Sequence, residues 1–103
     1  MIIRVTIANV SPQAAAEHFQ SHKLNGTVSE SLGFGSWGIE PGITVEFGGG
    51  ISLFDSIRHA VLALLHSLGE QAAYVVVDGI PYLWDTDGQT TNLADETAIK
   101  EAA

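Results

Sequence analysis

Several short stretches of the sequence hold residue types that can do chemistry. His18 and His22 stand four apart, which on a helix turns both imidazoles to one face, the arrangement a zinc pair requires; no third ligand is evident. Asp55, His59 and His66 fall near one another on a second helix, where Asp55 can orient His59 across one turn as a general base. Ser56, Ser67 and Thr44 are available hydroxyls, but none is placed as a paired nucleophile by the sequence. Gly33-Phe34-Gly35-Ser36-Trp37-Gly38 has the spacing of a dinucleotide fingerprint. Such a motif must open a helix, whereas here Ile39-Glu40-Pro41-Gly42 follow and read as a turn. Gly48-Gly49-Gly50 lies between a strand and a helix start, as in a phosphate site, yet no lysine follows and Glu46 and Asp55 would repel an anion. Asp85-Thr86-Asp87-Gly88 begins like a calcium loop, lacks the third acid at Gln89, and reads as a turn. No metal or cofactor is expected.

The charge balance is more informative than any of these motifs. The chain has 103 residues, of which 46% are hydrophobic, with no cysteine, 12 acids, 4 bases and a formal net charge of −8. One domain spanning residues 1–103 is expected at this length. Phosphate contacts need several Lys or Arg, and only Arg4, Lys23, Arg58 and Lys100 exist, so nucleic acid and anionic membranes are poor direct partners. No apolar run approaches the ~18 residues of a spanning helix, and the first residues read as a strand, so a soluble cytoplasmic protein is expected. Acids concentrate late in the chain: Asp78, Asp85, Asp87, Asp95, Glu96 and Glu101 face a single base, Lys100, over residues 78–103. Eight net charges over a domain about 30 Å wide give about one per 4 Å, against one per ~1.7 Å of duplex DNA. Full duplex mimicry is thereby disfavoured. Two readings of the acids stand side by side: a solubility surface, or a patch that steers the chain toward a basic partner.

The elements that must position these residues follow from periodicity. Ile3, Val5 and Ile7 alternate with Arg4 and Thr6, the period of a half-buried strand over residues 2–10. Ser11-Pro12 supplies an N-cap and first-turn proline for a helix of about three turns, which Asn25-Gly26 should stop. A short strand at residues 28–32 leads into a glycine-rich turn, and residues 43–47 form an amphipathic strand. Phe54, Ile57, Val61, Leu64, Leu65 and Leu68 recur every three or four residues, the stripe of a sheet-covering helix that Ser52 and Asp55 cap at the start and Gly69 at the end. Residues 72–77 and 80–84 are strands joined by Asp78-Gly79, a two-residue hairpin turn, with Pro81 placing the second strand at an edge or its own nitrogen in an outward-facing position. Residues 92–103 have helical composition and form either a short C-terminal helix or a frayed tail. The expected fold is α+β: a four- or five-stranded mixed or antiparallel sheet with two helices packed on one face.

Size, acidity and the cluster of Asp78, Asp85, Asp87, Asp95 and Glu96 resemble the small accessory proteins of phages and mobile elements, anti-CRISPR inhibitors among them. The resemblance carries no motif. It implies an inhibitor or adaptor that occupies a basic nucleic-acid-binding surface on a host protein or nucleoprotein complex. The residues expected to meet that partner are Glu30, Glu46, Asp78, Asp85 and Asp87, with Trp37 as an apolar anchor. Two alternatives come from other classes: a small enzyme or ligand-binding domain using His59, His66 and Asp55, and a self-assembling phage structural protein that dimerises at the strand edge near Pro81 or through the apolar loop.

Overall fold

Alternation of β-branched residues at the N-terminus makes the strand around which the sheet is laid. A computed structural model describes residues 2–35, 38–48 and 53–93. In chain order the elements are β1 (Ile2–Ala8), α1 (Pro12–Ser21), β2 (Thr27–Gly35), β3 (Gly38–Gly48), α2 (Phe54–Leu68), β4 (Ala72–Val77), β5 (Ile80–Asp85) and β6 (Thr90–Asn92). The six strands form one antiparallel sheet in the order β2-β3-β1-β4-β5-β6. The protein is α+β as expected, with one or two strands more than the sequence suggests.

Register explains the core. Ile3, Val5 and Ile7 stand opposite Phe47, Val45 and Ile43 of β3, and Ile3 and Val5 also stand opposite Val77 and Val75 of β4. Partners in register share a face, so three strands place their apolar residues together. All of these but Val77 are almost completely buried, beneath Ala15 and Phe19 of α1 and Ile57, Ala60, Val61, Leu64 and Leu65 of α2. The stripe of α2 carries the largest share, at about 1.5–3 kcal/mol for each large aliphatic side chain buried. Trp84 of β5 closes the core at one side, fully buried and edge-on to Phe54. The opposite face of the sheet carries the exposed Arg4–Glu46 pair and a cross-strand hydroxyl ladder of Thr6, Thr44 and Ser31.

The termini of the elements show where local chemistry decided the structure. Ser11 caps α1 by accepting a hydrogen bond from the Ala14 amide at 3.2 Å, with Pro12 at the first helical position. Gly69 ends α2 in the left-handed conformation, and Asp78 and Gly79, both at positive φ, make the tight β4–β5 turn. Leu53 precedes α2 without a side-chain cap, and Ser52 lies outside the described residues, as do Trp37 and residues 94–103, the stretch whose composition suggests a terminal helix or tail.

Two expectations change and one is narrowed. The strand beyond the five expected is β6, and the glycine-rich segment lengthens the strands expected at 28–32 and 43–47, with Gly33 paired to Glu40 and Gly35 to Gly38 so that glycines lie inside a tight β2–β3 hairpin. The first helix stops at Ser21, earlier than Asn25-Gly26, because Lys23 takes the left-handed conformation and the amides of Lys23 and Leu24 close onto Gln20 and Phe19. Gly26 serves packing instead. A Cβ there would sit 2.6 Å from Val45 Cγ2 and 2.8 Å from Phe47 Cε1, so only glycine lets the chain enter β2 against the core. Pro81 does not make β5 an outer strand along its length. Instead β6 pairs only with Tyr82, Leu83 and Trp84, and Pro81 falls beyond its reach.

Gly42 is the tightest point of the sheet, since a Cβ there would lie 2.1 Å from the Ile7 carbonyl oxygen and 2.7 Å from Ala8 Cα. Both are backbone atoms and cannot rotate away. Gly42→Ala should therefore cost about 3 kcal/mol, at the upper end of overpacking effects. Gly48→Ala, with open space around the position, should stay within ~0.5 kcal/mol. Urea denaturation of the two variants tests this contrast.

Candidate functional site

One end of the sheet gathers carboxylates from five places in the chain. The register sets Ser31 of β2 beside Gly42 of β3 and Gly42 beside Ala8 of β1, while Thr6 pairs with Tyr74 and Ala72 with Asp85. The C-terminal ends of β1 and β5 and the N-terminal end of β4 are thus level with Ser31 and Gly42, and the β2–β3 hairpin runs on four residues further to Gly35 and Gly38. Glu30 on β2, Glu40 on β3, Glu70 just before β4, Asp85 at the end of β5 and Asp87 in the following turn all lie at this end. Four strand spacings of about 4.8 Å separate β2 from β5, so the row is about 19 Å across. Among the described residues Arg58 is the cation that reaches it, donating through Nη2 to the Gly88 carbonyl. Arg4 pairs with Glu46, and Lys23 follows the far end of α1.

Asn9 holds the middle of the row. Its Nδ2 donates to Glu40 Oε2 at 2.8 Å and to Glu70 Oε1 at 2.6 Å, so two carboxylates converge on one amide nitrogen. Glu70 is 9% exposed, and a buried carboxylate needs such donors. The φ of Asn9 is +63°, a left-handed conformation that asparagine tolerates better than other side-chain-bearing residues, and its own amide closes onto the Pro41 carbonyl at 2.9 Å. The turn at the other side of the row is built by Asp85, which accepts from the Asp87 amide at 3.0 Å while its own amide donates to Gln89.

Beside Asn9 a groove of about 580 Å³ opens between the outer strand β2 and the start of α1. Val10, Pro12, Leu32 and Pro41 form its apolar walls, and Glu30 supplies its charge. Leu32 is 68% exposed there.

The residues singled out from sequence divide between this end and elsewhere. Glu30, Asp85 and Asp87 belong to it. Glu46 lies on the helix-free face, tied to Arg4 at 2.9 Å, and Asp78 sits at the opposite end, its carboxylate accepting from the Ile2 amide at 2.8 Å and its amide donating to the Ile2 carbonyl at 3.0 Å. Glu40, Glu70 and Asn9 are members that sequence reasoning does not single out. Asn9 falls where the alternation of β1 ends, and Glu40 and Glu70 adjoin Pro41 and Gly69, but nothing in the sequence shows that three loops meet.

The histidines lie on the two helices where their spacing puts them. His18 and His22 do share a face of α1, with ring centroids 4.7 Å apart, and His59 of α2 comes within 6.1 Å of His22. His18 is committed to structure, its Nε2 donating to the Ala60 carbonyl at 2.8 Å. Among the described residues no group of three or more His, Asp or Glu is arranged to hold a metal ion. Asp55, His59 and His66 are exposed on α2, with no hydrogen bond between Asp55 and His59, and none of the three lines the groove. Among the described residues no helix is long and apolar enough to cross a membrane.

No protein-family model, no curated protein and no solved structure matches the chain.

Asn9→Ala removes both charge-assisted hydrogen bonds and places alanine at positive φ. Such bonds contribute about 1.5–3 kcal/mol when one end is charged, so the variant should lose at least ~2 kcal/mol by chemical denaturation. Asn9→Gly, which relieves the backbone but not the carboxylates, should recover only part of the loss.

Proposed function

We propose that this chain is a protein-binding inhibitor or adaptor that docks the acidic end of its sheet onto a basic surface of a partner. The reading rests on one observation: Glu30, Glu40, Glu70, Asp85 and Asp87 share an end of the sheet that Arg58 alone, among the described cations, approaches. Like charges brought together raise the cost of folding, and a partner carrying Lys or Arg offsets that cost on binding. A surface evolved to hold nucleic acid is a suitable counterpart, as the likeness to anti-CRISPR inhibitors implies. The spacing of the acids is too open to imitate a duplex, so the chain would block a basic groove at a few points without copying its usual occupant.

Glu30 and Asp87 are the exposed members of the row, and they are the pair to reverse. Asp85 is unsuitable, because its carboxylate holds the β5–β6 turn. A host protein retained by the immobilised wild-type chain at low salt should be released as salt rises. The Glu30→Lys/Asp87→Lys variant should associate with it at least tenfold more slowly, with a melting temperature no lower than that of the wild type. Equal retention of the partner by the double variant would reject the acidic end as the binding surface.

A further inference from the structure

We infer that the outer edge of β2 is a docking site for an extended segment of the partner, which adds to the sheet as a seventh strand and carries the alternation apolar, basic, apolar. The inference deepens the reading above and rests on the partner being basic.

The two edges of the sheet are unlike. At one side β6 is three residues long. At the other β2 runs for nine residues, and among the described residues no strand pairs with its outer side. An edge of that length presents a row of backbone N–H and C=O groups that a second chain can satisfy. The groove beside Asn9 is lined in part by Glu30, Ser31 and Leu32 of this same strand, so side chains of an added strand that reach over β2 would find a place there.

The register states what those side chains must be. Val28 pairs with Val45, Glu30 with Ile43 and Leu32 with Pro41, and Val45 and Ile43 face the helices. Val28, Glu30 and Leu32 therefore form the helix-side face of the edge, with Ser29 and Ser31 on the other. A strand laid alongside sets its own alternate residues opposite these three. Apolar side chains would cover Val28 and the exposed Leu32 against Val10 and Pro12, and a Lys or Arg between them would meet Glu30.

Glu30 also decides against a second copy of this chain. A charge pointing inward on an edge strand is a known guard against edge-to-edge pairing. Two copies paired antiparallel about the middle of β2, with helices on the same side, bring their two Glu30 side chains opposite or diagonal to each other. Each copy also carries a net charge of −8. A basic segment turns the same carboxylate from an obstacle into an anchor.

The test uses the full chain and four synthetic heptapeptides, followed residue by residue through backbone amide NMR shifts and by calorimetry. The first is Thr-Leu-Thr-Lys-Thr-Leu-Thr, the second has Glu in place of Lys, and the third and fourth are the first peptide with alternate backbone amides methylated, one in each alternation. The Lys peptide should shift the amides of residues 27–33 and the groove. The Glu peptide and one of the methylated forms should bind at least tenfold more weakly. Glu30→Lys should exchange the preference between the Lys and Glu peptides, which simple loss of folding cannot do. Shifts confined to Asp85 and Asp87, or equal binding of both methylated forms, would overturn strand addition while leaving the acidic end as a binding surface. Loss of the host partner in the double-reversal variant, with no peptide bound at β2, would likewise overturn strand addition and leave the acidic end standing. Concentration-dependent dimerisation that protects residues 27–33 would overturn the basic segment in favour of a second copy.

Discussion

Burial of alternate side chains along β1 is the constraint on which the remaining structure depends. Ile3, Val5 and Ile7 reach essentially zero exposure only because β3 and β4 flank the strand on both sides and two helices lie over it. Each neighbour must present its own apolar residues at the same level, or the cross-strand rows of Phe47, Ile3 and Val77 and of Val45, Val5 and Val75 would not close. A slip of one residue would turn the whole set to the helix-free face. The register is accordingly fixed by the core, and the positions of the loops at the strand ends follow from it.

The acidic end is a consequence of that register. Glu40 and Glu70 are brought to the same nitrogen of Asn9 by the alignment of β3, β1 and β4, not by any local preference of their own loops. Two carboxylates in such proximity repel, and the repulsion is strongest where water is excluded, as around Glu70. The amide of Asn9, held at positive φ, supplies a donor to each. Its neighbour Gly42 shows how little slack remains here, because the backbones of β3 and β1 approach too closely for any side chain between them.

The sheet treats its two edges by different means. On the β5 side, Pro81 removes a donor and β6 covers only three residues, which leaves little continuous edge to extend. On the β2 side the edge is long, and protection comes from an inward charge, Glu30, beside an exposed leucine. A guard made of charge is selective, since it excludes apolar strands and copies of the same chain while admitting a strand of opposite sign. The contrast links the edge to the overall charge of the molecule.

Much of the fold is legible in residue order alone. Alternation at Ile3, Val5 and Ile7, the three-and-four spacing from Phe54 to Leu68, the Ser11-Pro12 cap and the Asp78-Gly79 turn each depend on contacts a few residues apart, and each appears where local periodicity places it. The glycine-rich segment misleads because glycine is permissive: Gly33, Gly35 and Gly38 suit a turn, and only the pairing of β2 with β3 along the whole hairpin draws these residues into long strands. Gly26 likewise reads as a helix stop until Val45 and Phe47 are seen packed against it. Composition establishes an acidic chain and points to Glu30, Glu46, Asp78, Asp85 and Asp87, two of which the fold sends elsewhere, while the meeting of Asn9 with Glu40 and Glu70 joins residues up to 61 apart in the chain. Side chains that distant come together only through sheet register, which the packing of the whole core selects and no local stretch of sequence contains.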